Sequence, residues 1–150
     1  MAEPYTLSVE SAPADEDARF IRERLNEFNW SRVEEDQYQP LAVFLRAADR
    51  AIVGGLIGNT YWGWLHVSIL WISEELRQYG YGRRLLQAAE QEALRRGCRA
   101  AHLDTMSFHG ALPFYQRQGY RIFGELHDLP LGHTRYFLQK TLAPSSAADD

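Results

Sequence analysis

Cysteine and long apolar runs are nearly absent from this chain. Cys98 is the only cysteine, which excludes an intrachain disulfide and is consistent with a reducing compartment. No hydrophobic stretch approaches the length of a membrane-spanning helix, and the first residues lack a basic segment followed by an apolar one. We therefore expect a cytoplasmic protein with no membrane partner.

Metal-ligand spacing and excess positive charge are also absent. The five histidines have no ligand-like spacing to one another or to Cys98, so no metal is expected. Lysines and arginines number 16 against 20 acidic residues, which gives a net charge of −4. That balance argues against nucleic acid as a partner and favours a cationic or amine-bearing one.

The segment from Leu70 to Leu86 has the clearest functional pattern. An apolar, β-branched run is followed by a polar loop with two glycines and then by a helix rich in Leu and Ala. Glycines let loop amides converge, and the first turn of a helix adds unpaired N–H donors and the positive end of the dipole. The junction therefore predicts an anion site, with phosphate as the expected group.

Two familiar phosphate loops do not fit this junction. A P-loop requires a lysine and then a serine or threonine after its last glycine, whereas Arg83 and Arg84 follow Gly82. A Rossmann fingerprint requires a third glycine where Leu85 stands. A nucleotide-binding domain of another type is therefore the least favoured hypothesis.

Two segments resemble motifs of one enzyme family. The loop R-Q-Y-G-Y-G, residues 77–82, is similar to the pyrophosphate-binding loop of the GNAT family of N-acetyltransferases. The segment F-Y-Q-R-Q-G-Y, residues 114–120, resembles the family's helix that carries a tyrosine and is followed by a glycine and an aromatic residue. About thirty residues separate the motifs, with one helix and one strand expected between them, as the family requires. The resemblance covers roughly residues 42–142.

Hydrophobic periodicity predicts the secondary structure. Helices are expected at residues 14–29, from the glycine loop to Arg96 with Gly97 just past its end, and at residues 111–118. Turns expected at residues 48–50 and 58–60 make the middle strands an antiparallel meander, whereas the strands flanking the central helix are parallel. The expected strands are residues 5–10, 41–47, 51–58, 61–72, 99–105, 120–127 and 133–142.

The fold class that follows is α/β, of the three-layer α+β kind. One domain is expected over residues 1–143, with a disordered tail at residues 144–150. The resemblance implies the GNAT fold, a mixed, mostly antiparallel sheet of six to seven strands. It has a central β-α-β crossover and helices on both faces.

The resemblance also implies a site for acetyl-CoA. In the family the two parallel strands splay at their C-terminal ends, and the pantetheine arm pairs with their main chain. A backbone amide of Leu70 or Trp71 would stabilise the oxyanion, and Tyr115 would face the coenzyme sulfur as general acid. The implied coenzyme-binding residues are Leu70, Trp71, Ile72, Arg77, Gln78, Tyr79, Gly80, Tyr81, Gly82, Arg83, Asp104, Thr105 and Tyr115.

The general base stays open at this point. The candidates are Asp104, His109, Glu34, Glu35 or a bound water. Phe108 stands where many family members have an asparagine, seven residues before the motif tyrosine. The local hydrogen bonding to the coenzyme at that position is therefore open as well.

Three functions remain as hypotheses. The favoured one is an N-acetyltransferase that moves acetyl from acetyl-CoA to a primary amine of a small molecule or peptide, by direct attack in a ternary complex. The alternative is a non-catalytic acyl-CoA-binding sensor or partner module, and the nucleotide-binding domain is the third. The acceptor is not identified, and a homodimer is expected only because family members are often dimers.

Overall fold

A computed structural model describes residues 4–143. The tail predicted to be disordered, residues 144–150, lies outside the described residues. The chain forms two compact units, whose boundary in the sequence falls between Asp36 and Gln37.

Among residues 4–36, the first unit contains one helix, α1 (Asp15–Trp30), and the prediction of a helix there is confirmed. Three acidic residues occupy its first turn, where the positive end of the helix dipole favours them. The strand predicted at residues 5–10 is wrong, because that segment forms no strand and its apolar side chains are exposed. Alternating polarity fits a strand, but a strand also needs a neighbour that completes its hydrogen bonds.

Within the described residues, the second unit is a six-stranded sheet with two α-helices. Its elements are β1 (Gln39–Arg46), β2 (Ile52–Tyr61), β3 (Trp64–Ile72), α2 (Tyr81–Arg95), β4 (Ala100–Met106), α3 (Leu112–Arg117), β5 (Arg121–His127) and β6 (Thr134–Thr141). The spatial order of the strands is β1-β2-β3-β4-β6-β5. Of these strands only β3 and β4 pair in parallel, and α2 connects them, so the predicted mixed sheet with a central crossover is confirmed.

The turn between β2 and β3 is not where the sequence predicted it. Residues 58–60 belong to β2, and the turn consists of Trp62 and Gly63 between the paired residues Tyr61 and Trp64. Both turn residues have positive φ, 44° and 75°, as in a two-residue type I′ hairpin. The turn was missed because it lies within the aromatic run Y-W-G-W, which lacks the polar residues typical of turns.

A bulge in β3 separates it from β4. Ile57 faces Ile69 whereas Gly58 faces Val67, so Ser68 is an extra residue in β3. Such a bulge bends the strand and increases its twist. Pairing of β3 with β4 ends at Val67 and Leu103, although both strands continue to Ile72 and Met106. The C-terminal halves of the two parallel strands are therefore not paired with each other, and we call the space between them the strand gap.

The core of the second unit lies between α2 and one face of the sheet, where α2 contacts β1, β2 and β3. The buried hydrophobic cluster of this unit includes Leu85, Leu86, Ala89 and Ala93 of the helix and Leu56, Leu65, Val67, Leu103 and Leu138 of the strands.

The helix α2 ends in a Schellman motif. Gly97 has φ 86°, and Cys98 N–H donates to Ala93 O at 2.9 Å, which confirms the predicted position of Gly97 just past the helix. No helix within residues 4–143 is long and apolar enough to cross a membrane.

The bulge makes a testable prediction about Gly58. A Cβ at this position would lie 2.2 Å from the carbonyl oxygen of His66, so Gly58→Ala requires the backbone to move. We expect the free energy of unfolding, measured by urea denaturation, to fall by about 2 kcal/mol or more.

Gly124→Ala is the matched control. Gly124 also lies in a strand, and the nearest atom to a Cβ there is Phe137 Cβ at 3.9 Å. We expect Gly124→Ala to leave stability unchanged or to raise it by roughly 0.5 kcal/mol. Equal losses in the two variants would contradict the role assigned to the close approach at Gly58.

Candidate active site

A short loop leads from the end of β3 into α2. After a 3-10 turn at Glu74–Leu76, Gln78 and Gly80 both have positive φ, 72° and 85°. Gly80 is the N-cap of α2 and has no side chain with which to cap the helix. No side chain therefore caps the amides of the first helical turn at the positive end of the helix dipole, which suits an anion.

Arg77 fastens this loop to the strand that precedes it. Its Nε donates to the carbonyl oxygen of Ile72 at 3.0 Å. The side chain therefore supports the loop from the end of β3.

Gly82 brings α2 close to two other elements. A Cβ on Gly82 would lie 3.4 Å from Ile72 Cδ1 and 3.4 Å from Phe114 Cζ. The first turn of α2 therefore packs on the end of β3 and on α3, which carries Tyr115. This contact brings the glycine loop, the strand gap and the motif tyrosine into one region.

The end of α3 explains the motif around Tyr115. Gly119 has φ 95°, its N–H donates to Gln116 O at 3.1 Å, and Tyr120 N–H donates to Tyr115 O at 3.0 Å. These are the two hydrogen bonds of a Schellman motif, which normally adds a contact between the residues at its two ends. Here that contact joins the rings of Tyr115 and Tyr120, whose centroids are 6.1 Å apart at 75°.

The phenol of Tyr115 is buried, with the residue only 7% exposed. Burial, with a smaller contribution from the charge of Asp104, raises the pKa of Tyr115 to about 12. Tyr115 is therefore protonated at neutral pH and can donate a hydrogen bond, but it cannot act as a base there.

The candidates for a general base lie in three places. Asp104 follows the last β3–β4 pair, and its Oδ2 accepts from Arg135 Nε at 2.7 Å, so a guanidinium occupies one carboxylate oxygen. His109 ends the 3-10 turn that follows β4, and its ring contacts Phe108, with 4.7 Å between the centroids. Glu34 and Glu35 belong to the first compact unit. Only Asp104 and His109 therefore share a unit with the strand gap.

The remaining predicted residues are distributed around the gap. Leu70 and Trp71 lie in the half of β3 that is not paired with β4, as Asp104 and Thr105 do in β4. Thr105 is buried. The other predicted coenzyme-binding residues of the loop and the first turn of α2 are Gln78, Tyr79, Gly80, Tyr81, Gly82 and Arg83.

The sequence did not reveal a histidine pair near the start of the parallel strands. His66 and His102 are register partners, and their rings stack with centroids 4.6 Å apart. Burial and the neighbouring His66 lower the pKa of His102, and its Nε2 lies 3.0 Å from the Tyr61 hydroxyl. The sequence could have indicated this pair only through an alignment of the two predicted parallel strands, in which His66 and His102 occupy equivalent positions. No group of three metal-ligating side chains forms within residues 4–143.

Comparison with known proteins agrees with this geometry. The model of the acetyltransferase (GNAT) family matches residues 4–120. An acetyltransferase of Agrobacterium fabrum is 38% identical over 133 residues, which are 88% of this chain and 96% of that protein. Blasticidin-S acetyltransferase of Streptomyces morookaense is 41% identical over 92 residues, 61% of this chain and 67% of that protein. The crystal structure of an acetyltransferase from Bacillus cereus has a TM-score of 0.81 and 30% identity, and the match covers 90% of this chain and 98% of that one.

The raised pKa of Tyr115 predicts how stability depends on pH. Between the ordinary value of 10.0 and about 12, the phenol stays protonated in the folded chain but ionises in the unfolded chain. The folded state therefore binds more protons, and stability falls as the pH rises through this window.

Tyr115→Phe removes this contribution. Urea denaturation should show a stability loss above pH 10 that is shallower in Tyr115→Phe than in the wild type, by up to about 1.4 kcal/mol per pH unit. At neutral pH the slopes of the two proteins should coincide, which provides the internal control. Identical slopes above pH 10 would contradict the burial of the phenol.

Proposed function

Because the chain belongs to the GNAT acetyltransferase family and is an acetyl-transferring enzyme, we propose that it moves acetyl from acetyl-CoA to a primary amine by direct attack in a ternary complex. The observation that carries this proposal is the end of β3–β4 pairing at Val67 and Leu103, beside the glycine N-cap of α2. Unpaired strand backbone and converging helix amides suit a ligand with an amide-containing arm and a pyrophosphate.

Acetyl-CoA is held, in this proposal, by backbone more than by side chains. The pyrophosphate lies on the amides of the loop and of the first turn of α2, with Arg83 beside it. The pantetheine arm enters the strand gap and pairs with the main chain of residues 70–72 and of Asp104 and Thr105. Because Arg77 is engaged with Ile72, it contributes through the shape of the loop.

The reaction requires a neutral amine, a stabilised oxyanion and a stabilised thiolate. The amine attacks the thioester carbonyl, and the oxygen that becomes negative accepts from the backbone amide of Leu70 or Trp71. The C–S bond then breaks as the C–N bond is retained. The proton lost by the amine passes to a base and finally to solvent, and the departing thiolate takes up one proton to become coenzyme A.

We assign to Tyr115 the stabilisation of the coenzyme sulfur as it leaves. A phenol whose pKa is about 12 is a weaker acid than a thiol, whose pKa is roughly 8.5. Tyr115 therefore stabilises the departing sulfur chiefly through a hydrogen bond, and it transfers its proton only as that proton is replaced. General acid catalysis of this kind depends on the orientation of the O–H group.

The acceptor that we propose is a cationic small molecule with a primary amine. The blasticidin-S acetyltransferase relative supports this class, and the net charge of −4 favours a positively charged partner. Phe108 is 54% exposed just after β4 and offers an apolar surface to such a molecule. Blasticidin S is therefore the first acceptor to test.

The proposal is tested by measuring free thiol released from acetyl-CoA in the presence of amines. The panel contains blasticidin S, a polyamine, an amino acid and a peptide with a free N-terminus, and calorimetry measures binding of acetyl-CoA, ATP–magnesium and NAD. We expect micromolar binding of acetyl-CoA, of the order typical for enzyme substrates, and thiol release with blasticidin S.

The other outcomes distinguish the remaining hypotheses. Acetyl-CoA binding without thiol release for any amine would favour a non-catalytic acyl-CoA-binding sensor. ATP–magnesium binding without acetyl-CoA binding would favour a nucleotide-binding domain. The single domain over residues 1–143, the homodimer and the cytoplasmic location stay predictions.

Tyr115→Phe tests the role of the phenol in turnover. Because the variant loses only the hydroxyl, kcat should fall by roughly a hundredfold while the Kd of acetyl-CoA changes by less than about twofold. Tyr5→Phe is the control, since Tyr5 is 84% exposed and belongs to the first unit. Equal kcat in the two variants would remove Tyr115 from the mechanism.

A further inference from the structure

A carboxylate is buried in the core beside Tyr120, the residue whose ring contacts Tyr115. Glu90 lies on the buried face of α2, between Leu86 and Ala93, and is 8% exposed. Its Oε2 accepts from the Tyr120 hydroxyl at 2.8 Å, and its Oε1 accepts from Lys140 Nζ at 2.8 Å. Both carboxylate oxygens are therefore occupied, by donors from two different parts of the chain.

This network meets the end of α3 at several points. The ring of Tyr120 contacts the ring of Tyr115, and the Tyr120 amide binds the Tyr115 carbonyl at 3.0 Å. Lys140 crosses over Gly119, where a Cβ would lie 3.5 Å from Lys140 Cε, and its Nζ lies 5.5 Å from the centre of the Tyr120 ring. Glu90 thus connects α2 and β6 to the residue on which Tyr115 rests.

The network is not needed to fill the core. A buried carboxylate loses its hydration, and replacing a buried ion pair by apolar side chains of similar volume is often neutral or stabilising. Phenylalanine at position 120 with an apolar residue at position 90 would occupy nearly the same space. What the polar groups add is a fixed place for the hydroxyl end of Tyr120, because a hydrogen bond has a preferred length and angle.

Tyr115 requires that support because α3 is short. The helix has six residues, too few for its own hydrogen bonds to hold it firmly. A donor that acts on a reacting sulfur must be held to within about 0.5 Å of its working position. The Schellman end fixes the backbone of Tyr115, and the ring of Tyr120 limits how the ring of Tyr115 turns.

We propose that Glu90 is a positioning residue, which orients the Tyr115 phenol toward the acetyl-CoA sulfur by holding the hydroxyl of Tyr120. This rests on the proposed function, in which Tyr115 donates to that sulfur. Lys140 completes the network, because its positive charge offsets that of the carboxylate and its Nζ binds Oε1, the oxygen that Tyr120 does not contact. Glu90 itself contacts neither substrate nor coenzyme.

Glu90→Met is the first variant to test. It removes the acceptor of Tyr120 while nearly keeping the side-chain volume. We expect kcat to fall about tenfold, since misplacement of a catalytic group by about 1 Å can cost a hundredfold, and the KM of acetyl-CoA to change by less than about twofold. Glu90→Gln keeps an acceptor for Tyr120 and should retain more activity than Glu90→Met.

Glu92→Met is the matched control on the same helix. Glu92 lies in the last turn of α2 and pairs with Arg95 and Arg96, so its loss should leave kcat unchanged. If Glu90→Met and Glu92→Met have the same kcat, the proposal is wrong.

The double variant Glu90→Met with Tyr120→Phe separates orientation from stability. Its apolar pair should recover most of the stability lost in Glu90→Met, because Tyr120→Phe removes the buried hydroxyl that Glu90→Met leaves without an acceptor. We expect kcat to stay low nevertheless. If kcat returns together with stability, the network has only a structural role and the proposal is overturned.

A measurement independent of activity separates this inference from the proposed function. With ring-labelled tyrosine, the NMR signal of Tyr115, assigned with Tyr115→Phe, should shift or broaden in Glu90→Met but not in Glu92→Met. If the wild type transfers no acetyl group, the proposed function fails, and the Tyr115 signal alone then decides the network. An unchanged Tyr115 signal in Glu90→Met would overturn it.

Discussion

The strand gap depends on one close approach of two backbones. At Gly58, β2 lies so near the His66 carbonyl that any Cβ would collide with it, and this contact accommodates Ser68 as an extra residue in β3. Beyond the bulge, β3 remains paired with β2 as far as Ile72, and β4 remains paired with β6 as far as Met106. Each strand therefore keeps its outer neighbour, and the gap leaves unpaired only the groups that β3 and β4 would otherwise share.

Two glycines with positive φ lie at helix ends near the strand gap, and they have opposite effects on the hydrogen bonding of the backbone there. Gly80 begins α2 without a side-chain cap, which leaves N–H donors directed outward. Gly119 ends α3 in a Schellman motif, which satisfies the carbonyls of Tyr115 and Gln116. One helix thus offers backbone donors to an anion. The other has its terminal carbonyls satisfied, and Tyr115 contributes its phenol.

Local signals predicted much of this architecture. The helix α2 was predictable because its apolar stripe recurs with helical spacing and Gly97 follows it. The bulge at Ser68 was not, because it depends on pairing with β2, and the turn at Trp62 and Gly63 was hidden in an aromatic run. The strand predicted at residues 5–10 had the right period but forms no strand. Local pattern therefore predicts an element better than it predicts the element's partner.

In the candidate site too, contiguous segments were predictable from the sequence, and contacts between distant segments were not. Its loop and its tyrosine lie in contiguous segments, so resemblance could propose them, and the contact of Gly82 with Phe114 depends on the fold. Glu90 was overlooked because a glutamate on a helix is ordinarily solvated, and its partners Tyr120 and Lys140 are 30 and 50 residues away in sequence. A carboxylate whose two oxygens both have buried or half-buried donors is costly to desolvate, so a gain in orientation offers a physical reason for its presence. That gain is greatest where a short helix holds a phenol beside a reacting centre, which is the position proposed for Tyr115.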